Sequence, residues 1–329
     1  MNEPIAHHFV PQHLQCNFSD DPNEQVSVFD VTDGRKFPTG TKVVMQRGHF
    51  HTVIGPRGRA NFETSMTEIE NSVLHTYQSV VAAKHLTLSD EEIGHLSVLV
   101  AFQELRTSQF RNQFLNLESQ LAEHVAKFGT TLKQVEGYEP FDQETLKANH
   151  LIFLSEHLRG FARIISKMNF VLMSPPPGQH LYLGDSPVVR HNDNEAGFWG
   201  NLGFASDGLQ LYMPLSKDLL LGMWAPDLLH GLRESVADAR RLHAQYTLSP
   251  QAQVSISNAV GGSDIVVASV EVTRANEKRL RKIASGEPIE MFSDNVHFYN
   301  SLQLNSAERH VVCPYGDYDL ADRWFAQKA

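Results

Sequence analysis

The sequence predicts an α+β fold in which a helical layer from the middle of the chain packs with short strands contributed by both the N- and C-terminal parts. Three observations lead there. Residues 1–60 carry short alternating apolar stretches bounded by turn signals, as strands do. Residues 62–173 switch to helical spacing of their apolar side chains. From Ser174 onward the two patterns alternate, so strands from both ends can meet on one helical layer. We read the 329 residues as a single domain, 1–329, strand-rich over 1–60, helical over 62–173 and mixed over 174–329.

The first strands are expected in QVSVFDVTDGRKF, where Val26 and Val28 alternate ahead of an Asp-Gly turn. TKVVMQRGHFHTVIG is a second strand-like piece, and PRGR closes it as a loop. Ile69, Val73, Tyr77, Val80 and Val81 then fall at helical spacing. Ser89 and Glu92 make a capping box for the next helix, whose Ile93, Leu96, Leu99, Val100, Phe102 and Leu105 form a wide apolar stripe. FLNLESQLAEHVAKF reads as a third helix and ETLKANHLIFLSEHLRGFARIISKMNFVLM as a long fourth. SPPPGQ breaks the pattern. HLYLGDSPVVRHND and GLQLYMPLSKDLLLGMW are strand-like, the second with a turn at Pro-Leu-Ser. DLLHGLRESVADARRLHAQYTL is helical, GGSDIVVASVEV reads as a strand, and a basic helix follows. A last helix, from about Asn300 to His310, leads into a short strand.

Composition narrows the function classes. Hydrophobic residues make up 41% and charged residues 20%, which is globular. The sequence shows no apolar run of about 18 residues, and MNEPIAHH lacks the basic and apolar regions of a secretory signal. Cys16 and Cys313 are the only cysteines, so we expect no disulfide framework, no Cys-based zinc site and a cytoplasmic setting. A net charge of -10 argues against a protein that coats nucleic acid. A nuclease needs only a local basic patch. The clearest one is RANEKRLRK, Arg274 to Lys282, with five basic residues, which reads first as a solvated helix face. A dinucleotide fingerprint in strand–helix context, a phosphate-binding P-loop and a nucleophile elbow are all missing from the sequence.

The chemistry concentrates at HHFVPQ. Adjacent histidines on an extended segment point to opposite faces, so one can enter a site while the other packs elsewhere. Near pH 7 a neutral imidazole serves either as a base or as a metal ligand. HHFVPQ, followed by Asn17-Phe18, resembles the opening of the domain-of-unknown-function 4238 family, a mostly bacterial one. Further pieces match in order: TEIENSV on Glu70, FQELRTSQFR on Arg106 and Thr107, LYLGDSPVV on Asp185 and Pro187, LYMPLSKDLLL, and FYNSLQLNSAERHVV on Asn300, Ala307 and Arg309. The resemblance runs from His7 to about Val312. HLQC departs from the family pattern, and Gly184 stands where a serine is usual, so no hydroxyl role carries over there.

The matched residues suggest one shared polar pocket, since polar groups in apolar surroundings are costly unless they pair. We expect His7, His8, Arg106 and Asp185 to act in catalysis, and Gln12, Asn300 and Arg309 to bind substrate. His8, Asp185 and Glu70 are the expected ligands of a divalent metal ion: Mg, Mn or Zn. That inventory suits metal-assisted phosphodiester hydrolysis, with nucleic acid or a nucleotide as substrate and a defence or toxin-like role for a nuclease of this kind. A binding module for a nucleotide or other small anion is the alternative. A scaffold with buried structural links is a third. Arg106 and Glu70 would then form an ion pair between neighbouring helices, Asp185 would cap a turn, and Asn300 a helix.

Overall fold

The computed structural model describes residues 6–19, 23–55, 58–135, 137–138, 142–195, 202–204, 206–247 and 263–328. It is α+β, with 53% helix and 18% strand. The N-terminal strand β1 (Ala6–His8) is three residues long. It leads through Pro11 into a five-residue helix, α1 (Gln12–Cys16), too short for a periodicity reading to find. Next come β2 (Gln25–Asp30), β3 (Lys36–Gly40), β4 (Gln46–Gly48), β5 (Thr52–Gly55) and β6 (Gly58–Asn61). The Asp-Gly turn joins β2 to β3, with Gly34 in the left-handed region at φ +74°. TKVVMQRGHFHTVIG is not one strand but two: β4 pairs antiparallel with β1, and β5 pairs with β6. Arg59 therefore lies in a strand rather than a loop; Pro56 and Arg57 lie outside the described residues.

The helical middle holds α2 (Glu63–Ala83), α3 (Asp90–Leu105), α4 (Ser108–Ala126) and α5 (Gln143–Ile165). Ser89 caps α3 by accepting the Glu92 N–H at 3.2 Å, and Glu92 in turn accepts from the Leu88 N–H at 3.0 Å. The expected stripe is interior: Leu96, Leu99, Val100, Phe102 and Leu105 are all buried. Thr107 starts α4 six residues earlier than the pattern suggested, by accepting from the Phe110 N–H. The fourth helix ends at Ile165, and NFVLM is strand β7 (Asn169–Ser174) instead of a helical continuation. An apolar run of that length fits a buried strand or a buried helix equally well by period alone.

The remaining elements are β8 (Leu183–Gly184), β9 (Val189–His191), β10 (Gln210–Ser216), β11 (Leu219–Trp224), α6 (Pro226–Tyr246), α7 (Ser263–Ser285), β12 (Ile289–Glu290), α8 (Ser293–Ser306), β13 (His310–Val312) and α9 (Asp319–Lys328). Pro214 and Leu215 lie within β10, whose register shifts between Pro214 and Ser216; the chain reverses two residues further on, before Leu219. DIVVASVEV belongs to helix α7, not to a strand, and the last helix begins seven residues before Asn300. A five-stranded sheet runs β12-β7-β11-β10-β9, antiparallel except for β12 beside β7. A four-stranded sheet runs β3-β2-β13-β8, so the C-terminal β13 lies between strands from residues 25–30 and 183–184. Strands from both ends do meet. Among the described residues, no helix is long and apolar enough to cross a membrane.

Candidate functional site

The β1–β4 ribbon carries His7 inward. Its ring is fully buried, while His8, pointing the other way, is half-buried. His7 Nδ1 accepts the backbone N–H of His51 at 2.8 Å. The two imidazoles stack with ring centres 5.5 Å apart and 17° between planes. His51 lies just ahead of β5, and its Nδ1 sits 2.8 Å from Glu63 Oε2 at the start of α2. The same carboxylate oxygen is 3.6 Å from His7 Nδ1. One possible ligand atom from each of His7, His51 and Glu63 lies within 4.8 Å of the others. His51 and Glu63 were not singled out from the sequence. A chain separation of more than forty residues from His7 leaves no local spacing to read.

Burial sets the protonation of two of these three residues. Burial holds the His51 imidazole well below its usual range, helped by the nearby Arg106, His7 and Arg111 charges. His51 is therefore neutral, with a lone pair to donate. Its Nε2 is buried and has no hydrogen-bond partner among the described residues. Leaving such an atom bare costs on the order of 1–3 kcal/mol, which a ligand would recover. Burial also raises the Glu63 carboxyl, while His7, Arg106 and His8 oppose that shift. Two imidazoles and one carboxylate supply three possible ligands, the number that catalytic zinc sites draw from the protein.

The sequence-predicted residues divide into groups. His8 turns its ring to the Thr41 carbonyl at 3.2 Å and gives its own carbonyl to Arg106. Burial lowers its imidazole, and the Thr41 contact partly offsets this. Arg106 is 1% exposed; it ion-pairs with Glu70 while its Nε has no partner among the described residues. Gln12 reaches Glu24 and Thr41, each at 3.3 Å. These residues share the N-terminal corner with His7.

Asp185, Asn300 and Arg309 make their contacts elsewhere. Asp185 accepts three backbone N–H groups, from Glu308 at 2.8 Å and from Arg309 and His310 at 2.9 Å each. Burial pushes its carboxyl up to about 6 against those three donors. Asn300 bridges the Tyr182 N–H at 2.8 Å and the His180 carbonyl at 2.9 Å. Arg309 Nε donates to Asp30 at 2.9 Å. The Asp185 contacts clamp β8 to β13, so their loss should show as lost stability. In Asp185→Asn an amide N–H would face a backbone N–H. We expect a loss of about 3 kcal/mol, read from urea unfolding with an unchanged slope. A midpoint equal to wild type would contradict the clamp.

A second buried group supports the site from behind. Arg111 Nε donates to His150 Nδ1 at 3.1 Å and its Nη2 to the Phe50 carbonyl at 2.9 Å. Its guanidinium lies 3.7 Å from the centre of the Phe50 ring. Burial, with the nearby Arg47 charge, brings Arg111 down to about 10. These contacts fix the backbone of Phe50, and with it the placement of His51.

Comparison with known families gives one match: the family described as protein of unknown function (DUF4238) matches residues 6–313. Nothing matches among curated proteins or among solved structures.

Proposed function

The chain belongs to the DUF4238 family, and on that premise we propose that it is a metal-assisted phosphodiester hydrolase whose ion is held by His7, His51 and Glu63. The observation that carries this reading is the convergence of two buried imidazoles and a carboxylate within 4.8 Å. This set replaces His8, Asp185 and Glu70 as the proposed ligands. Imidazole nitrogen suits zinc better than magnesium, which prefers oxygen. A bound ion would lower the pKa of its water toward about 7 and polarise a phosphate oxygen. Hydrolysis would break one ester P–O bond, with the hydroxyl of water going to phosphorus and its proton to the leaving oxygen. Arg47, exposed and directly opposite His7 in the β1–β4 ladder, would be the residue to hold the anion. Nucleic acid and nucleotides are the substrates this chemistry takes, and the scarcity of cysteine fits a cytoplasmic setting.

A metal-stripped protein should regain cleavage of bis-p-nitrophenyl phosphate, DNA or RNA on adding Zn²⁺, with Mn²⁺ second and Mg²⁺ weakest. Absence of metal binding by calorimetry, or of cleavage under every cation, would overturn the reading. The second reading is a site that binds a small nucleotide without turnover. In that case nucleotides raise the melting temperature of the metal-loaded protein and no product forms.

A further inference from the structure

The basic run in α7 borders a cleft through Glu277, Leu280 and Arg281. Helices α6 and α7 enclose a cleft of about 410 Å³, lined by Arg233, Val236, Ala237, Arg240, Glu277, Leu280 and Arg281. Arg233, Val236, Ala237 and Arg240 recur along one face of α6, three and four residues apart. Arg274, Lys278 and Arg281 make the matching stripe on α7. Arg240 Nε is held by Glu277 at 2.5 Å. Arg233, Arg274, Lys278 and Arg281 are exposed and form no hydrogen bond or salt bridge among the described residues. From Ser269 to Ser285, α7 carries five basic residues against Glu271 and Glu277, a local excess of +3 on a chain of net charge -10.

Glu277 lies within this stripe and is paired with Arg240; the four unpaired cations remain in excess, and such an excess on an acidic protein attracts an anion with repeating charge. The cleft floor is aliphatic and has no aromatic ring on which a base could stack. We propose that the α6–α7 cleft is a sequence-independent docking surface for the phosphodiester backbone of a nucleic acid. Phosphates lie against Arg233, Arg274, Lys278 and Arg281, while Val236 and Leu280 meet the sugar edges. Binding here is separate from hydrolysis at His7, His51 and Glu63.

The test is fluorescence anisotropy of the full-length protein in chelator, so that no cleavage occurs, with labelled RNA and DNA strands of equal length. Wild type should bind both, with log K falling against log salt at a slope of about -3 for four phosphate contacts. Arg233→Glu/Arg281→Glu should weaken binding at least about tenfold and flatten the slope, while Arg233→Lys/Arg281→Lys retains both. Circular dichroism confirms that each variant is folded. The proposal fails if wild type does not bind, if the charge-reversed protein binds equally well, or if anionic vesicles displace the nucleic acid. Preference for RNA or DNA identifies the natural strand.

Discussion

Replacing Glu63 with Gln is expected to abolish tight metal binding while leaving the fold intact. The carboxylate supplies the only negative charge among the three proposed ligands, and a neutral carboxamide is a poor ligand for a hard or borderline cation. Substituting groups that only support metal ligands costs about 10–100-fold in affinity. Loss of a direct ligand should exceed about a hundredfold. Folding responds differently. Burial raises the Glu63 carboxyl, so its charge is held at a cost, and a Gln oxygen can still accept from His51 Nδ1. The apo variant should melt at or above the wild-type temperature. His51→Ala should lose metal equally and also lose stability, because its ring packs on His7 and on Phe50. His8→Ala should bind metal as wild type does, since its ring contacts Thr41. Calorimetric titration with Zn²⁺ separates the three. Undiminished binding by Glu63→Gln would remove Glu63 from the site, and with it the reason for proposing a hydrolytic ion there.

How much of this could be read from the sequence depends on distance along the chain. HHFVPQ marked His7 because its signature is contiguous. His51 had only HFH in an irregular stretch, and Glu63 looked like an ordinary acid in the first turn of α2, a position favoured by the helix dipole. The pairing of β1 with β4 brings His7 to His51, and the β5–β6 hairpin returns Glu63 to it, registers that no local pattern announces. The capping of α3 by Ser89 was legible for the opposite reason: donor and acceptor lie three residues apart. Asp185 and Asn300 could be read from sequence either as site residues or as caps, and their contacts are all with backbone groups. DIVVASVEV misled because β-branched residues favour strands; here they continue the 23-residue helix that runs on into ANEKRLRK.

The protein should lose stability as the pH falls from about 6.5, and His150 should account for a large part of the loss. Its ring is completely buried, donating from Nε2 to the Leu105 carbonyl at 2.6 Å and accepting from Arg111 at Nδ1. Burial, with the adjacent Arg111 charge, brings its imidazole down to about 3. In the unfolded chain the same group titrates near about 6.5. Above that pH both states are neutral at this residue and its contribution is complete. Below it the unfolded chain binds a proton that the folded protein cannot, so stability falls until the folded form also protonates near about 3. At about 1.4 kcal/mol per unit, the loss over that window is on the order of 5 kcal/mol. His51 is lowered too, so the His150 share must be isolated by difference. His150→Phe keeps the ring volume but strips Arg111 Nε and the Leu105 carbonyl of their partner. We expect it to be about 3 kcal/mol less stable than wild type at neutral pH. Its deficit should shrink steadily as pH falls toward 4, because the variant has no proton to gain at this position. Urea unfolding of both proteins at matched pH values measures the difference. Parallel curves across the window would mean that the buried imidazole is not held neutral, and that Arg111 is paired in some other way behind Phe50.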